Sequence, residues 1–171
     1  MMKKRFFVVS SVLLISALAW AGSANTGKDE ANTAAFAKFK NLVGQWEADS
    51  DKGKVTSSYE LLSNGTALVE HVNVPGESPM LTVYYLEGNR LVLTHYCTAG
   101  NQPHMRATLN DADANQVRFD FVNGTNMTAS DGHMHSVNVS FLGPDSFKSD
   151  WTFYKDGKAA FTVPLQFRRV R

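Results

Sequence analysis

Residues 146–170 read S-F-K-S-D-W-T-F-Y-K-D-G-K-A-A-F-T-V-P-L-Q-F-R-R-V, and their period decides the fold class. Phe147, Trp151 and Phe153 are separated by Lys148, Asp150 and Thr152. Past Asp156-Gly157, the residues Phe161, Val163, Leu165 and Phe167 alternate with Thr162, Pro164 and Gln166. Successive side chains of a strand point to opposite faces, so each half reads as a strand with one apolar face. Asp-Gly accepts the positive φ angles that a tight hairpin turn requires. The stretch is thus predicted to be an antiparallel hairpin, buried on one face and solvated on the other. Burying such side chains contributes about 1.5–3 kcal/mol each, enough to set the register.

The same period runs back to Trp46, punctuated by Asn64-Gly65, Gly88-Asn89, a loop at Asn110–Asn115, Asn123-Gly124 and Gly143-Pro144-Asp145. Strands are expected near 46–50, 55–62, 66–74, 80–87, 90–97, 104–109, 116–122, 134–142, 146–154 and 159–170. About ten strands at this spacing, with no helix between them, predict an all-β fold: a single antiparallel up-and-down barrel. One helix is expected before them, over Thr33–Leu42. Phe36, Phe39 and Val43 recur at helical spacing, Asn32 or Thr33 can cap its start, and Gly44 can end it.

The N-terminus reads as an export signal. Lys3, Lys4 and Arg5 precede an apolar run over Phe6–Trp20, and small residues follow. Cleavage is expected after Ala24, with Ala21 as the alternative; 25–31 is expected to be a flexible leader and 32–171 the barrel domain. The apolar run is short for a membrane span, so no stable membrane anchor is expected after cleavage. The protein would then be periplasmic or secreted. The chain has 17 basic and 16 acidic residues, and the first 24 residues hold three basic and no acidic ones. The remainder therefore carries 14 against 16, a net −2, which is no footprint for nucleic acid. A lone cysteine, Cys97, excludes an internal disulfide. Asparagines 64, 123, 126 and 138 stand in glycosylation sequons, which matter only in a glycosylating host.

The helix leading into Leu42-Val43-Gly44-Gln45-Trp46 resembles the start of calycin-type barrels, the group of lipocalins and fatty-acid-binding proteins. The resemblance implies that Arg168 or Arg169, from the last strand, packs over the Trp46 indole. The chain is also similar to a group of exported, uncharacterised bacterial proteins with a lipocalin-like domain. The matching stretches are His95-Tyr96-Cys97, Gly100-Asn101-Gln102-Pro103, Gly132-His133-Met134-His135 and Trp151-Thr152-Phe153-Tyr154-Lys155-Asp156-Gly157-Lys158. His104 stands where that group would carry arginine, which removes an anion clamp from that position.

Candidate site residues concentrate in Thr94–Arg106 and around His133-Met134-His135. Alternation puts Leu91, Leu93, His95 and Cys97 on one face, and His133, His135, Val137, Val139 and Phe141 on one face. If the aliphatic members mark the interior, both pairs point inward. Imidazole and thiolate suit zinc or copper, so His95, Cys97, His133 and His135 form a candidate metal set. His71, sharing a face with Val69, is a possible fifth member. The plainer reading makes these histidines hydrogen-bonded cavity lining and Cys97 a small buried hydrophobe. Haem held by a single histidine is a further variant, by analogy with some calycin-like barrels.

The expected function is binding of a small, partly apolar ligand. Apolar walls would hold it, and His95, Cys97, Asn101, Gln102, His133 and His135 would orient it. Tyr84, Tyr85 and Tyr96 are further candidates whose faces alternation does not assign. The alternatives are a zinc- or haem-binding barrel using the same histidines, and an enzyme with Cys97 or a metal-bound water as reactive group. Neither a Gly-x-Ser-x-Gly elbow nor a phosphate loop is present. Asp111, Asp113 and Asn115 begin like a calcium loop, but Gln116 and Val122 break the pattern, so a solvated turn is expected.

Overall fold

In the computed structural model, which describes residues 23–109 and 115–171, ten strands follow one helix. The helix is α1 (Ser23–Lys40). The strands are β1 (Gly44–Ser50), β2 (Gly53–Leu62), β3 (Ala67–Asn73), β4 (Met80–Glu87), β5 (Arg90–Tyr96), β6 (Gln102–Leu109), β7 (Gln116–Thr125), β8 (His133–Gly143), β9 (Ser146–Lys155) and β10 (Lys158–Arg169). Each strand pairs antiparallel with its chain neighbour, and β1 pairs with β10 to close the barrel. The up-and-down barrel expected from the turn spacing is the fold. The expected signal segment falls almost wholly outside the described residues, as do Asp111 and Asp113. Among the described residues no helix is long and apolar enough to cross a membrane.

The helix starts earlier than the apolar spacing predicts and takes in the stretch 25–31 expected to be a flexible leader. Tertiary contacts hold this part. Leu91 N donates to Asn32 Oδ1 at 3.1 Å, and Asn89 Nδ2 donates to Asp29 Oδ2 at 3.1 Å, so the helix lies on the β4–β5 hairpin. The apolar face also ends differently. Phe36, Phe39 and Leu42 are buried, while Val43, expected on that face, is exposed. The chain leaves the helix after Lys40 in a tight turn, with Leu42 N bonded to Phe39 O, and this turns Leu42 inward instead.

Phe39 is the plug of this end. Its ring meets Tyr84 at 5.0 Å, Phe141 at 5.2 Å and Phe119 at 5.7 Å, the last two edge-on. Beneath it Trp46 is 1% exposed and its Nε1 donates to Leu42 O. Of the two candidate arginines, Arg169 covers the indole, with its guanidinium carbon 4.2 Å from the ring centroid. It also donates to Val43 O and Asn41 O at 2.8 and 2.7 Å, tying the last strand to the helix exit. Gly44 is required here: its φ is +126°, and a Cβ would come within 3.0 Å of the Arg169 guanidinium.

Candidate functional site

Among the described residues none plugs the end of the barrel opposite α1. There the β1–β2, β3–β4, β5–β6 and β9–β10 turns surround a cavity of about 780 Å³. Its walls are mainly apolar, with Val55, Val72, Met134, Trp151, Phe153 and Val163 among them. Lys52 and Glu77, from facing turns, form an ion pair at its mouth. The aromatic walls are mutually packed: Phe153 stacks on Phe161 at 4.9 Å.

His95 and Cys97 line this cavity, as strand alternation predicts. His95 is 3% exposed, and its ring lies 4.8 Å from that of Trp151. Burial alone lowers its pKa from 6.5 to about 4, so the ring is neutral at ordinary pH. Its Nδ1 lies 2.9 Å from Thr82 Oγ1, and its buried Nε2 has no hydrogen-bond partner among the described residues. Cys97 is half-buried near the rim, and among the described residues no side chain is recorded bonding its sulfur. A base within reach is what a thiol nucleophile would need.

His133 and His135 do not join them. Their expected inward direction is corrected by a bulge in β8, where Met134 faces Phe153 and Ser136 faces Thr152, leaving His135 as the extra residue. One added residue switches the faces of everything beyond it. Met134 therefore enters the cavity, and His133 pairs with Tyr154 on the other face. His135 stacks on Tyr154 at 3.8 Å and on Phe121 at 5.2 Å.

The two rings also occupy each other. His133 Nδ1 lies 2.9 Å from Asp131 O, which can only accept, so this nitrogen carries a proton. Its Nε2 then accepts from His135 Nδ1 at 3.0 Å, so in the neutral pair no lone pair of His133 is left for a metal. Burial, then the neighbouring His133, lowers the pKa of His135. Among the described residues no three His, Cys, Asp or Glu side chains are grouped to hold a metal ion, so the four-residue set is not assembled.

The remaining candidates are elsewhere. Asn101 is buried, and its Nδ2 donates to Gly132 O at 2.8 Å, pinning the β5–β6 turn to the β7–β8 loop. Gln102 accepts from Thr125 and Asn126 on the outer surface of the barrel. His71 faces outward to Glu60 at 3.1 Å, which corrects its expected place beside the cavity. On β3 the inward residues are Leu68, Glu70 and Val72, the opposite set from the one that Val69 suggested. Of the three tyrosines, Tyr84 is buried in the core, while Tyr85 and Tyr96 line a shallow groove outside the barrel with His104.

Glu70 is the residue that alternation overlooked. It is 4% exposed. Ser57 and Tyr59 donate to its Oε1 at 2.8 and 2.6 Å, and Tyr84 donates to Oε2 at 2.9 Å. Burial pushes the Glu70 pKa up, and the converging hydroxyls oppose this. Burial, then the Glu70 charge, pushes both tyrosines well above their ordinary range. Register explains the cluster. Tyr59 stands opposite Glu70, Glu70 opposite Thr82, and Thr82 opposite His95, making one polar row across β2 to β5.

No protein-family model and no curated protein matches the chain. Among solved structures it is similar to Rv2717c from M. tuberculosis, at 10% identity and a TM-score of 0.48, over 80% of this chain and 98% of that one. It is also similar to a protein of unknown function from the DUF3598 family of Nostoc punctiforme PCC 73102. There the identity is 9% and the TM-score 0.24, over 80% of this chain and 99% of that one. These likenesses are too distant to inform the activity.

Proposed function

We propose that the protein binds a small, partly apolar molecule in the open end of the barrel. The observation that carries this is the pairing of an apolar cavity of about 780 Å³ with one buried, unpartnered ring nitrogen on His95. Ligand sites commonly combine 300–1,000 Å³ of apolar wall with a few polar groups that fix orientation. A buried polar atom left without a partner costs about 1–3 kcal/mol, and a ligand that satisfies it recovers that cost. Asn101 and Gln102 support the loops around the mouth rather than the ligand. In this reading the protein acts after export, with residues 1–24 as its cleaved leader.

The test is displacement of a fluorescent apolar probe. The barrel is expected to bind the probe, and Val163→Trp, which fills the cavity, is expected to abolish binding while the fold persists. An absence of probe binding, together with no co-purified small molecule in native mass spectrometry, would overturn the reading.

The His95 nitrogen also favours a second reading, in which a single histidine holds haem. A neutral imidazole with an unpartnered ring nitrogen beside an apolar pocket is the residue such a site needs. Haemin titration is expected to give a Soret band that His95→Ala removes and His135→Ala keeps. A spectrum unchanged by His95→Ala would discard haem ligation by this residue.

A further inference from the structure

The cavity wall carries a nucleophile that simple binding does not use. Cys97, the one cysteine of the chain, lines the cavity near its rim and is half-buried. Among the described residues no side chain bonds its sulfur, and the chain offers no second cysteine for a disulfide. Its backbone is held on both sides. Cys97 N donates to Asn101 O at 3.1 Å, and Gly100 N donates to Cys97 O at 3.0 Å. Asn101 is in turn tied to Gly132 O at 2.8 Å. The thiol therefore stands at a fixed place beside the open space.

A thiol alone marks no site, and His95 supplies the second observation. It lines the same cavity two residues earlier in the chain. It is 3% exposed, and its Nε2 has no partner among the described residues. A ring nitrogen donates or accepts according to its tautomer, and in either form this one is open to a polar group of a ligand. The surrounding wall is apolar, with Val55, Val72, Trp151, Phe153 and Val163. The Lys52 amine at the mouth is occupied by its ion pair with Glu77. A seated molecule thus meets apolar side chains along its length, an imidazole at depth and a sulfur near the rim.

We infer that Cys97 covalently captures an apolar α,β-unsaturated aldehyde or ketone seated in the cavity. This rests on the reading of the cavity as a binding site. The sulfur adds to the β-carbon: a C–S bond forms, the C=C π bond breaks, and the proton given up by the thiol is replaced by one on the α-carbon. Nothing leaves, and no oxidant, reductant or co-reactant takes part. The chemistry of the wall selects this class. Apolar side chains favour an alkyl chain, and soft, polarisable sulfur favours the conjugated carbon over the carbonyl carbon. Acyl transfer would need a base to activate the thiol and protonate a leaving group. Addition has no leaving group to protonate. Holding the alkene beside the sulfur makes the step effectively intramolecular. No part of the step regenerates the thiol, so capture is stoichiometric.

The test compares 2-nonenal with crotonaldehyde, which share the reactive unit and differ in alkyl chain. Adduct formation is followed by intact-mass spectrometry, and each rate is divided by that of the same aldehyde with glutathione. Addition retains the whole mass of the aldehyde, whereas imine formation on a lysine loses water. The normalised rate is expected to favour 2-nonenal by about tenfold or more, because its added methylenes are buried on the wall. Peptide mapping is expected to place the adduct on Cys97, and Cys97→Ser is expected to abolish it. Val163→Trp, which fills the cavity and leaves the thiol in place, is expected to erase the preference for the longer chain. Equal normalised rates in the unmodified protein, an adduct mapped to another residue, or a preference that survives Val163→Trp would each overturn the inference. Equal rates in a protein that still binds the fluorescent apolar probe overturn covalent capture and leave the cavity reading standing. Equal rates with no probe binding overturn both.

Discussion

The two ends of the barrel are built by the same strands and treated in opposite ways. At the helix end, Phe36, Phe39 and Leu42 descend into the barrel, and the Trp46 indole nitrogen is bonded to Leu42 O. At the far end the apolar walls continue, but among the described residues nothing fills the space between them or bonds the His95 Nε2. Alternation decides whether a side chain points in or out. It does not decide whether the inside is filled. That depends on what else is laid into the barrel, and among the described residues α1 closes one mouth and nothing closes the other. Packing is concentrated at the plugged end and open space at the other.

That division can be broken most directly by truncating one aromatic at each end. Phe39→Ala is expected to cost about 3–5 kcal/mol in denaturant unfolding, because the plug cannot collapse around the void. Phe161→Ala, at the half-open rim, is expected to cost about 1 kcal/mol or less. Equal losses would show that both ends support the fold alike.

The second largest effect is on pH dependence. Burial lowers His95 from 6.5 to about 4, so the unfolded chain takes up a proton that the folded protein refuses. The contribution is whole above pH 6.5 and is lost as pH falls from there toward 4. The gap corresponds to about 3 kcal/mol. Glu70, raised by burial, acts in the opposite direction: its contribution is present at low pH and lost as pH rises. Comparing the unmodified protein with His95→Phe removes that common background. The unmodified protein is expected to lose stability relative to the variant between pH 6.5 and 4; parallel curves would mean that His95 is not held neutral by burial. Probe binding is expected to be flat between pH 5 and 8, since the His95 ring stays neutral throughout.

Arg169→Ala sharpens the account of the closed end. It removes the cation over Trp46 and two bonds to the helix exit, for an expected loss of about 2 kcal/mol in thermal or chemical unfolding, with probe affinity retained. The smallest effect belongs to the outer face. His71→Ala breaks one exposed hydrogen bond with Glu60 and is expected to change stability by less than about 1 kcal/mol. His135→Ala is expected to leave probe binding unchanged. A loss of binding in His135→Ala would return that histidine to the site.

Much of the barrel was legible in the chain, and the exceptions are instructive. The inward direction of His95 and Cys97 followed from Leu91 and Leu93, because that strand runs without a bulge across them. Leu68-Val69-Glu70-His71-Val72 was ambiguous: it has apolar residues on both faces, so either alternate set could be the interior. The choice of Val69 hid Glu70. The signal that could have found it was Leu68 and Val72 flanking a carboxylate at even spacing. At His133-Met134-His135 no glycine or proline marks the bulge within the strand, and an uninterrupted alternation pointed both histidines the wrong way. Asn101 and Gln102 stood in the right turn, but a turn residue has no period to assign its direction.

The sequence by itself determined the number of strands, their hairpin order, the closed antiparallel topology and the presence of one helix before them. These follow from local period and turn chemistry, which act over a few residues. Only the tertiary structure decided which face of β3 is inside, which way β8 turns its histidines, and that Tyr59, Glu70, Thr82 and His95 line up across four strands. Those outcomes depend on register between strands and on a single extra residue in one of them. Register is set by long-range pairing and by the side chains that must share the barrel's interior, and no local stretch of the chain contains both.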